Sequence, residues 1–228
     1  MAGGSGHLEL LTHTHNLIPD ARAGTETECI APGASVLRGF GLDKIPGLLA
    51  GIDFVSAAAP FRHWATPGGF RMSVAMTNCG GLGWVSDRAG YRYTVCDPST
   101  GRPWPPMPRT FLELAQTAAN AAGFPGFEPD ACLVNRYEPG ARLTLHQDKD
   151  EQDFSAPIVS VSLGLPVTFL FGGDARTDRQ RRVALRHGDV VVWGGAARLR
   201  HHGVLALKSG HHEILGAQRL NLTFRRAS

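Results

Sequence analysis

From residue 131 onward the chain is a succession of short apolar or alternating segments separated by tight polar turns. Such segments predict β-strands, and Arg186-His187-Gly188-Asp189 is typical of a hairpin turn between two of them. The predicted strands cover residues 132–137, 142–147, 158–163, 167–171, 182–185, 190–193 and 220–225. Short strands joined by tight turns favour a β-barrel or β-sandwich.

The N-terminal half has a different pattern. An amphipathic helix is predicted over residues 43–59, with Pro60 marking its end, and a second over 111–122, with Thr110 as its cap. Between them, residues 66–93 are rich in glycine and aromatic residues, with a strand-like piece at 72–76. The fold class expected is therefore mainly β with flanking helices (α+β).

Composition excludes some classes of protein. None of the 228 residues belongs to an apolar run of the ~18 residues that a membrane span needs, and the first residues do not resemble a secretory signal. Residues 1–30 show no periodicity and are expected to be a flexible leader. The four cysteines match no zinc or redox spacing, which favours reduced thiols in a cytoplasmic protein. Net charge is only +3 and the basic residues are nearly all arginines, which is weak evidence for a nucleic-acid partner.

A metal site is suggested by His146-Gln147-Asp148. If this segment is a strand, His146 and Asp148 point to the same face and can occupy neighbouring corners of a coordination sphere. A second histidine would complete the two-histidine, one-carboxylate set that non-haem Fe(II) oxygenases use. The downstream candidates for that ligand are His187, His201, His202, His211 and His212, and residue spacing alone does not choose among them.

Residues 219–225 alternate between apolar and polar side chains. Arg219, Asn221, Thr223 and Arg225 share one face, and a buried arginine needs an anionic partner. Arg219 and Arg225 are ~20 Å apart along a strand at about 3.3 Å per residue, so their inward-reaching side chains leave a gap that suits a five-carbon diacid. We therefore expect 2-oxoglutarate here, with Arg219 on its distal carboxylate and Arg225 on the metal-proximal one.

These residues together resemble the AlkB family of Fe(II)/2-oxoglutarate dioxygenases. The likeness covers residues 34–227 and includes 135–137, 146–150, His202-Gly203 and the 219–225 pattern; the segments 76–80 and 83–84 resemble bacterial AlkB repair demethylases in particular. No one motif is specific, but their combination in this order is.

The resemblance implies a double-stranded β-helix (jelly-roll) core with an N-terminal nucleotide-recognition lid. One dioxygenase domain would span residues 31–228, with helices and lid at 31–130 and the catalytic core at 131–228. Fe(II) would be the metal, and 2-oxoglutarate and O2 the cosubstrates. The implied reaction is oxidative demethylation of 1-methyladenine and 3-methylcytosine in DNA, and in RNA as an extension. It releases formaldehyde and converts 2-oxoglutarate to succinate and CO2. The enzyme would be a cytoplasmic monomer acting on single strands or on a base flipped from a duplex.

The resemblance also assigns the site residues. It selects His202 as the third metal ligand beside His146 and Asp148, and adds Asn135 and Tyr137 to Arg219, Asn221 and Arg225 around 2-oxoglutarate. The substrate residues implied are Trp84 as a stacking platform opposite His146, Asp150 as an acceptor for an exocyclic amine, and Met76, Tyr91, Arg176 and Thr66. Arg71, Arg88 and Arg92 are further candidates for phosphate contacts. A core tryptophan and methionine, and a solvated loop holding Asp150 and Glu151, are the structural alternatives.

Three other functions remain open at this level. The same chemistry could hydroxylate a protein or a small molecule, since only residues 76–91 argue for a base. An AlkB-like fold could bind a modified base without oxidising it, although the intact metal set and both arginines argue against that. A cupin-type metal protein is the third, but it would not need the arginine face of 219–225.

Overall fold

Two antiparallel sheets form the framework of the protein. The computed structural model describes Met1 and residues 26–228. Its strands are β1 Thr27–Ala31, β2 Ala34–Leu37, β3 Ala75–Gly80, β4 Gly83–Asp87, β5 Gly90–Thr94, β6 Ala131–Tyr137, β7 Leu143–His146, β8 Ile158–Gly164, β9 Val167–Phe171, β10 Arg181–Leu185, β11 Val190–Trp193, β12 His202–Val204 and β13 Arg219–Arg225. The helices are α1 Ile45–Ala58 and α2 Arg109–Ala121, and short 3₁₀ turns cover Leu42–Lys44 and Gly195–Ala197.

The major sheet has seven strands in the order β1-β2-β11-β8-β13-β6-β3, and the minor sheet has four in the order β10-β9-β12-β7. Apolar side chains of both sheets share one core cluster, in which Phe169 of β9 lies 6.1 Å from Trp193 of β11 between ring centroids. The sheets therefore pack face to face, which confirms the expected jelly-roll.

Both helices cover the outer face of the major sheet. Leu48 and Val55 of α1, with Phe111 and Leu114 of α2, form a second core cluster with the outward side chains of β8, β11 and β13. Side chains alternate between the two faces of a strand, so the other face of β8, β11 and β13 is free to line a cavity between the sheets. No helix among the described residues is long and apolar enough to cross a membrane.

Several helices and strands begin or end at other residues than the sequence predicted. The second helix begins at Arg109 after Pro108, whose fixed φ suits a helix start, so Thr110 lies inside the helix and makes no cap. The strand expected at 72–76 begins instead at Ala75. Strands β1, β2, β4, β5 and β12 were not predicted, and β12, with three residues, is too short to show a period.

The predicted domain division also changes. Most of the expected leader, residues 1–30, lies outside the described residues, and its end belongs to β1. Residues 31–130 do contribute the helices, but β2 pairs with β11 and β3 pairs with β6, so this half also completes the major sheet. The separate element is the β4–β5 hairpin, which forms a two-stranded sheet beside the cavity mouth.

Candidate active site

The predicted metal ligands converge on one point of the minor sheet. His146 ends β7 and His202 begins β12, and the two residues are direct partners in the antiparallel register. Their rings lie 4.4 Å apart between centroids, and one ligand atom from each of His146, Asp148 and His202 falls within 4.8 Å of the others. Asp148 lies two residues past His146, just beyond the end of β7, and shares its face as predicted.

Hydrogen bonds orient both imidazoles for metal binding. Nδ1 of His146 is 2.8 Å from the Thr144 carbonyl oxygen, and Nδ1 of His202 is 3.0 Å from that of Arg200. A carbonyl only accepts, so each Nδ1 carries the proton and each Nε2 keeps a lone pair. Burial and the neighbouring His146 lower the pKa of His202 to about 4, which leaves its imidazole neutral near pH 7.

Asp148 completes a donor set that fits Fe(II). Burial alone would raise the pKa of Asp148, but the Arg225 guanidinium and the two imidazoles hold it well below its usual range, so the carboxylate is ionised. Its Oδ1 is 3.7 Å from Nε2 of His146, and its Oδ2 is 3.7 Å from Nε2 of His202. Two neutral imidazoles and one carboxylate on one side of a site leave the other side open, the pattern of Fe(II) oxygenases.

The polar face of β13 lines the cavity, as predicted. Arg219, Asn221 and Arg225 are each less than a tenth exposed, while Leu222 on the other face packs under the helices. Asn221 pairs in register with Asn135 of β6 and accepts a 3.1 Å hydrogen bond from its side-chain amide. The two hydrogen-bonded asparagines therefore form the part of the cavity wall that lies between Arg219 and Arg225.

Arg219 is the cation that most requires a ligand. Its side chain is 2% exposed, Nη2 donates to Ser162 Oγ, and Nε and Nη1 have no partner among the described residues. Its guanidinium carbon lies 4.9 Å from the centroid of the Tyr137 ring. A buried guanidinium with two free donors suits a carboxylate bound through both oxygens, so the residues present fit 2-oxoglutarate.

Arg225 pairs with a metal ligand. It donates to Asp148 Oδ2 from Nε at 3.0 Å and from Nη2 at 2.8 Å, so it orients this carboxylate. It also lies 3.3 Å from Glu151 Oε1 and lines the cavity. Its binding to the metal-proximal carboxylate of 2-oxoglutarate stays a prediction.

A buried network behind Asp148 was missed. Glu151, expected in a solvated loop, is 6% exposed; it accepts hydrogen bonds from Tyr93 Oη at 2.7 Å and from Arg198 Nη2 at 3.2 Å. Arg198 also donates to the Asp148 backbone carbonyl at 2.8 Å. The two negative charges of Asp148 and Glu151 are therefore balanced by the two positive charges of Arg198 and Arg225. The loop that carries Glu151 has no period from which its burial could be predicted.

The β4–β5 hairpin places an aromatic platform over the cavity. Trp84 and Tyr91 stack with their centroids 5.6 Å apart and their planes 15° from parallel. The indole Nε1 of Trp84 donates a 2.9 Å hydrogen bond to Asp150 Oδ2, so one oxygen of this carboxylate, expected to accept from a base, holds the platform. Asp150 has its other oxygen left for a substrate.

The cavity measures about 790 Å³, and every predicted site residue lines it, including Thr66, Met76 and Arg176. His201 and Arg71 line it too, whereas His187 and His212 do not and instead lie against each other, with ring centroids 4.4 Å apart. Arg92, a candidate phosphate contact, is instead engaged by both oxygens of Asp87. Trp193, which no sequence pattern singled out, lies against His202 at 4.9 Å between ring centroids.

Known proteins share this sequence and fold. Residues 46–225 match the 2OG-Fe(II) oxygenase superfamily. The "Alpha-ketoglutarate-dependent dioxygenase AlkB" of Salmonella typhimurium is 57% identical over 88% of this chain and 93% of its own length, and the Escherichia coli protein of that name is equally similar. A solved structure of OsALKBH1 superposes with a TM-score of 0.76 and 29% identity, covering 88% of this chain and all of that one.

The matched family is the one to which the motifs pointed, and the matched range contains the metal triad and both arginines of β13. The chain belongs to the 2OG-Fe(II) oxygenase superfamily and, within it, to the AlkB family of α-ketoglutarate-dependent dioxygenases.

Proposed function

We propose that this enzyme oxidatively removes small alkyl groups from base nitrogens of nucleic acids, with 1-methyladenine and 3-methylcytosine as preferred substrates. The observation that carries the proposal is the position of the Trp84–Tyr91 stack, which lines the same cavity as the metal triad. A planar base stacks well on such a platform. Relatives support the choice, since their names include a nucleic acid dioxygenase of Mus musculus and a tRNA demethylase of Schizosaccharomyces pombe.

The metal and cosubstrate would be held by separate residues. His146, Asp148 and His202 would hold Fe(II). 2-Oxoglutarate would be held by Arg219, Tyr137, Asn135, Asn221 and Arg225. When bound, these groups supply the oxidation: one oxygen atom of O2 goes to the N-alkyl carbon and the other to succinate, with release of CO2. The hydroxylated alkyl group then leaves the base as formaldehyde when the group is a methyl.

The chain's own residues select and orient the base. Trp84 would stack on one face of the ring and His146, whose side chain is 38% exposed, on the other. Met76 of β3 is buried and lines the cavity, so its side chain would pack against the edge of the substrate base. The free oxygen of Asp150 would accept a hydrogen bond from the exocyclic amine and would favour bases made cationic by alkylation.

Activity on methylated oligonucleotides tests the proposal. Single strands with one 1-methyladenine or 3-methylcytosine, incubated with Fe(II), 2-oxoglutarate and O2, should yield formaldehyde and succinate in equal amounts. Asp148→Asn should abolish both products, and an unmethylated oligonucleotide should yield no formaldehyde. Succinate without formaldehyde on every oligonucleotide would favour a protein or small-molecule substrate, and no succinate at all would favour a non-catalytic binding module.

The finer parts of the proposal concern the form of the substrate and of the enzyme. We infer that single strands and flipped bases are both accepted, because the cavity reaches the surface beside the lid. The four cysteines are free, which supports the reducing cytoplasm, and a monomer stays a prediction. Rates on matched single-stranded, duplex and RNA substrates, with sedimentation of the active enzyme, would check these points.

A further inference from the structure

Exposed arginines concentrate on the segment that joins β9 to β10 and on β10 itself. Arg176 and Arg179 lie on the connecting loop, Arg182 on β10, and Arg186 directly after it, and all four are exposed. None has a carboxylate within 4.0 Å in the part of the chain that the structure describes, whereas half of the described arginines outside this segment are paired. These paired arginines are Arg38, Arg62, Arg92, Arg109, Arg198, Arg225 and Arg226.

The strand register places this segment close to the metal site. Phe171 of β9 pairs with His202 on one side and with Arg181 on the other. At about 4.8 Å per strand, the backbone of Arg181, where β10 begins, is therefore about 10 Å from that of His202. The side chain of Arg182 lies on the outer face of β10, opposite the buried Val183 and Leu185. The loop between β9 and β10 also begins next to the metal ligands, because the Gly172 N–H donates a 2.8 Å hydrogen bond to the carbonyl oxygen of His201.

The nearby acids do not neutralise these arginines. Asp178 is folded back on its own loop, where Oδ2 accepts the Ala175 N–H at 3.0 Å, and Asp174 pairs with no arginine in the residues described. Glu28 is taken by Arg181 and Arg38. A surface cleft is lined by the four consecutive residues 179–182. The strip of Arg176, Arg179, Arg182 and Arg186 thus keeps its positive charge and begins at the cavity, which Arg176 lines.

We propose that Arg179, Arg182 and Arg186 form a track that binds phosphates of the substrate strand beyond the base in the cavity. The inference rests on the proposed function and extends the nucleic-acid contact past the base and its immediate neighbours. Guanidinium groups bind phosphate through two hydrogen bonds. Arg182 and Arg186 are about 13 Å apart at roughly 3.3 Å per residue, far enough to contact different phosphates of one strand.

An edge-strand role is the competing explanation. β10 is the last strand of the minor sheet, and charged side chains on such strands prevent edge-to-edge association. That role requires charge but no position relative to the cavity. The continuity of the strip with Arg176, which lines the cavity, favours the track. The two explanations predict different measurements.

The test compares a short with a long substrate. The triple variant Arg179→Gln/Arg182→Gln/Arg186→Gln is assayed on a trinucleotide with a central 1-methyladenine and on a single strand of about fifteen nucleotides. We expect its KM for the long strand to rise about tenfold and its kcat/KM on the trinucleotide to change less than twofold. Because each phosphate contact contributes about 0.7 to the salt slope, the slope of log KM for the long strand should fall by about 2.

Arg109→Gln is the matched control, because this arginine is exposed at the start of α2, on the face of the major sheet opposite the cavity. It should leave both substrates unaffected. An unchanged KM for the long strand in the triple variant, an equal change on both substrates, or aggregation with a normal KM would each overturn the track.

Failure of the proposed function would look different. If the wild-type enzyme demethylates neither substrate, binding of a fluorescent unmethylated strand of the same length replaces KM as the readout. The triple variant should then bind about tenfold more weakly than wild type at low salt, and equal binding would reject the track on its own.

Discussion

At the scale of single residues, the site separates two arginines that look equivalent in the sequence. Arg219 and Arg225 share the polar face of one strand, but Arg225 is bound to Asp148 and Glu151 while Arg219 keeps two free donors. The difference comes from the acids that the loop after β7 brings against one end of β13. Alternation predicted the shared face, and the structure adds which of the two arginines is paired with carboxylates.

Arg219→Lys tests this assignment. Lysine keeps the charge but cannot form the two parallel hydrogen bonds of a guanidinium, so we expect KM for 2-oxoglutarate to rise about 10- to 100-fold, or roughly 1.4–2.8 kcal/mol. Binding of Fe(II) should be unchanged, because Arg219 contacts none of the three ligands. Arg109→Lys is the control. A normal 2-oxoglutarate KM in Arg219→Lys would contradict the assignment.

Glu151→Gln probes the network behind the metal. The amide keeps the size of the side chain but removes the negative charge that balances Arg198 and Arg225, both buried. With one carboxylate fewer, Arg225 is left partly unpaired and orients Asp148 less firmly. We expect Fe(II) affinity to fall about 10- to 100-fold, the usual effect of losing an outer-shell partner.

Tyr93→Phe separates that effect from the lid. It removes the 2.7 Å hydrogen bond between the hairpin and Glu151 but leaves every charge in place. Its KM for the methylated strand should rise several-fold while Fe(II) affinity stays normal, as measured by metal titration. Equal loss of metal affinity in both variants would mean that the network acts only as a structural support.

At the scale of elements, β12 shows what positions a metal ligand. This strand has three residues, and its Gly203 lies so close to β7 that an added Cβ would be 2.9 Å from the Leu143 carbonyl oxygen. The close approach brings His202 opposite His146. A glycine after the ligand is therefore a packing requirement of the two strands.

Gly203→Ala should push β12 away from β7. Overpacking of this kind costs about 1–3 kcal/mol of stability, and it should also weaken metal binding because His202 moves with the strand. Unfolding by urea and Fe(II) titration measure the two effects. Gly90→Ala is a useful contrast, since an added Cβ there meets nothing within 4 Å but the positive φ of 117° is strained. That variant should lose stability without losing metal affinity.

Elements also show where sequence reasoning ends. Strands β8, β9, β11 and β13 were predicted nearly to the residue, because each has an apolar face or core that sets its period. The burial of Glu151 and the contact between Trp84 and Asp150 depend on loops of different parts of the chain meeting in space. The periodicity of a segment contains no information about its contacts with distant segments, so these contacts could not be predicted from the sequence.

At the scale of the whole molecule, the cavity places several buried charges between two sheets, and only some of them compensate each other. Asp148 and Glu151 balance Arg225 and Arg198, which leaves Arg219 without an acidic partner in the residues described. A buried cation without a partner lowers stability. A dianionic cosubstrate at Arg219 and a cation among His146, Asp148 and His202 should therefore stabilise the whole fold.

Thermal unfolding under anaerobic conditions measures this coupling. A ligand at about 100 times its Kd contributes about 2.7 kcal/mol, and each kcal/mol shifts Tm by about 2–4 °C in a chain of this size. Mn(II) alone should thus raise Tm by about 5–11 °C, and 2-oxoglutarate added to the Mn(II)-bound enzyme should raise it by about as much again. Arg219→Lys should respond to Mn(II) like the wild type but gain little more from 2-oxoglutarate, and Asp148→Asn should respond to neither. If 2-oxoglutarate stabilised Arg219→Lys as strongly as wild type, the unpaired guanidinium would not be its binding site.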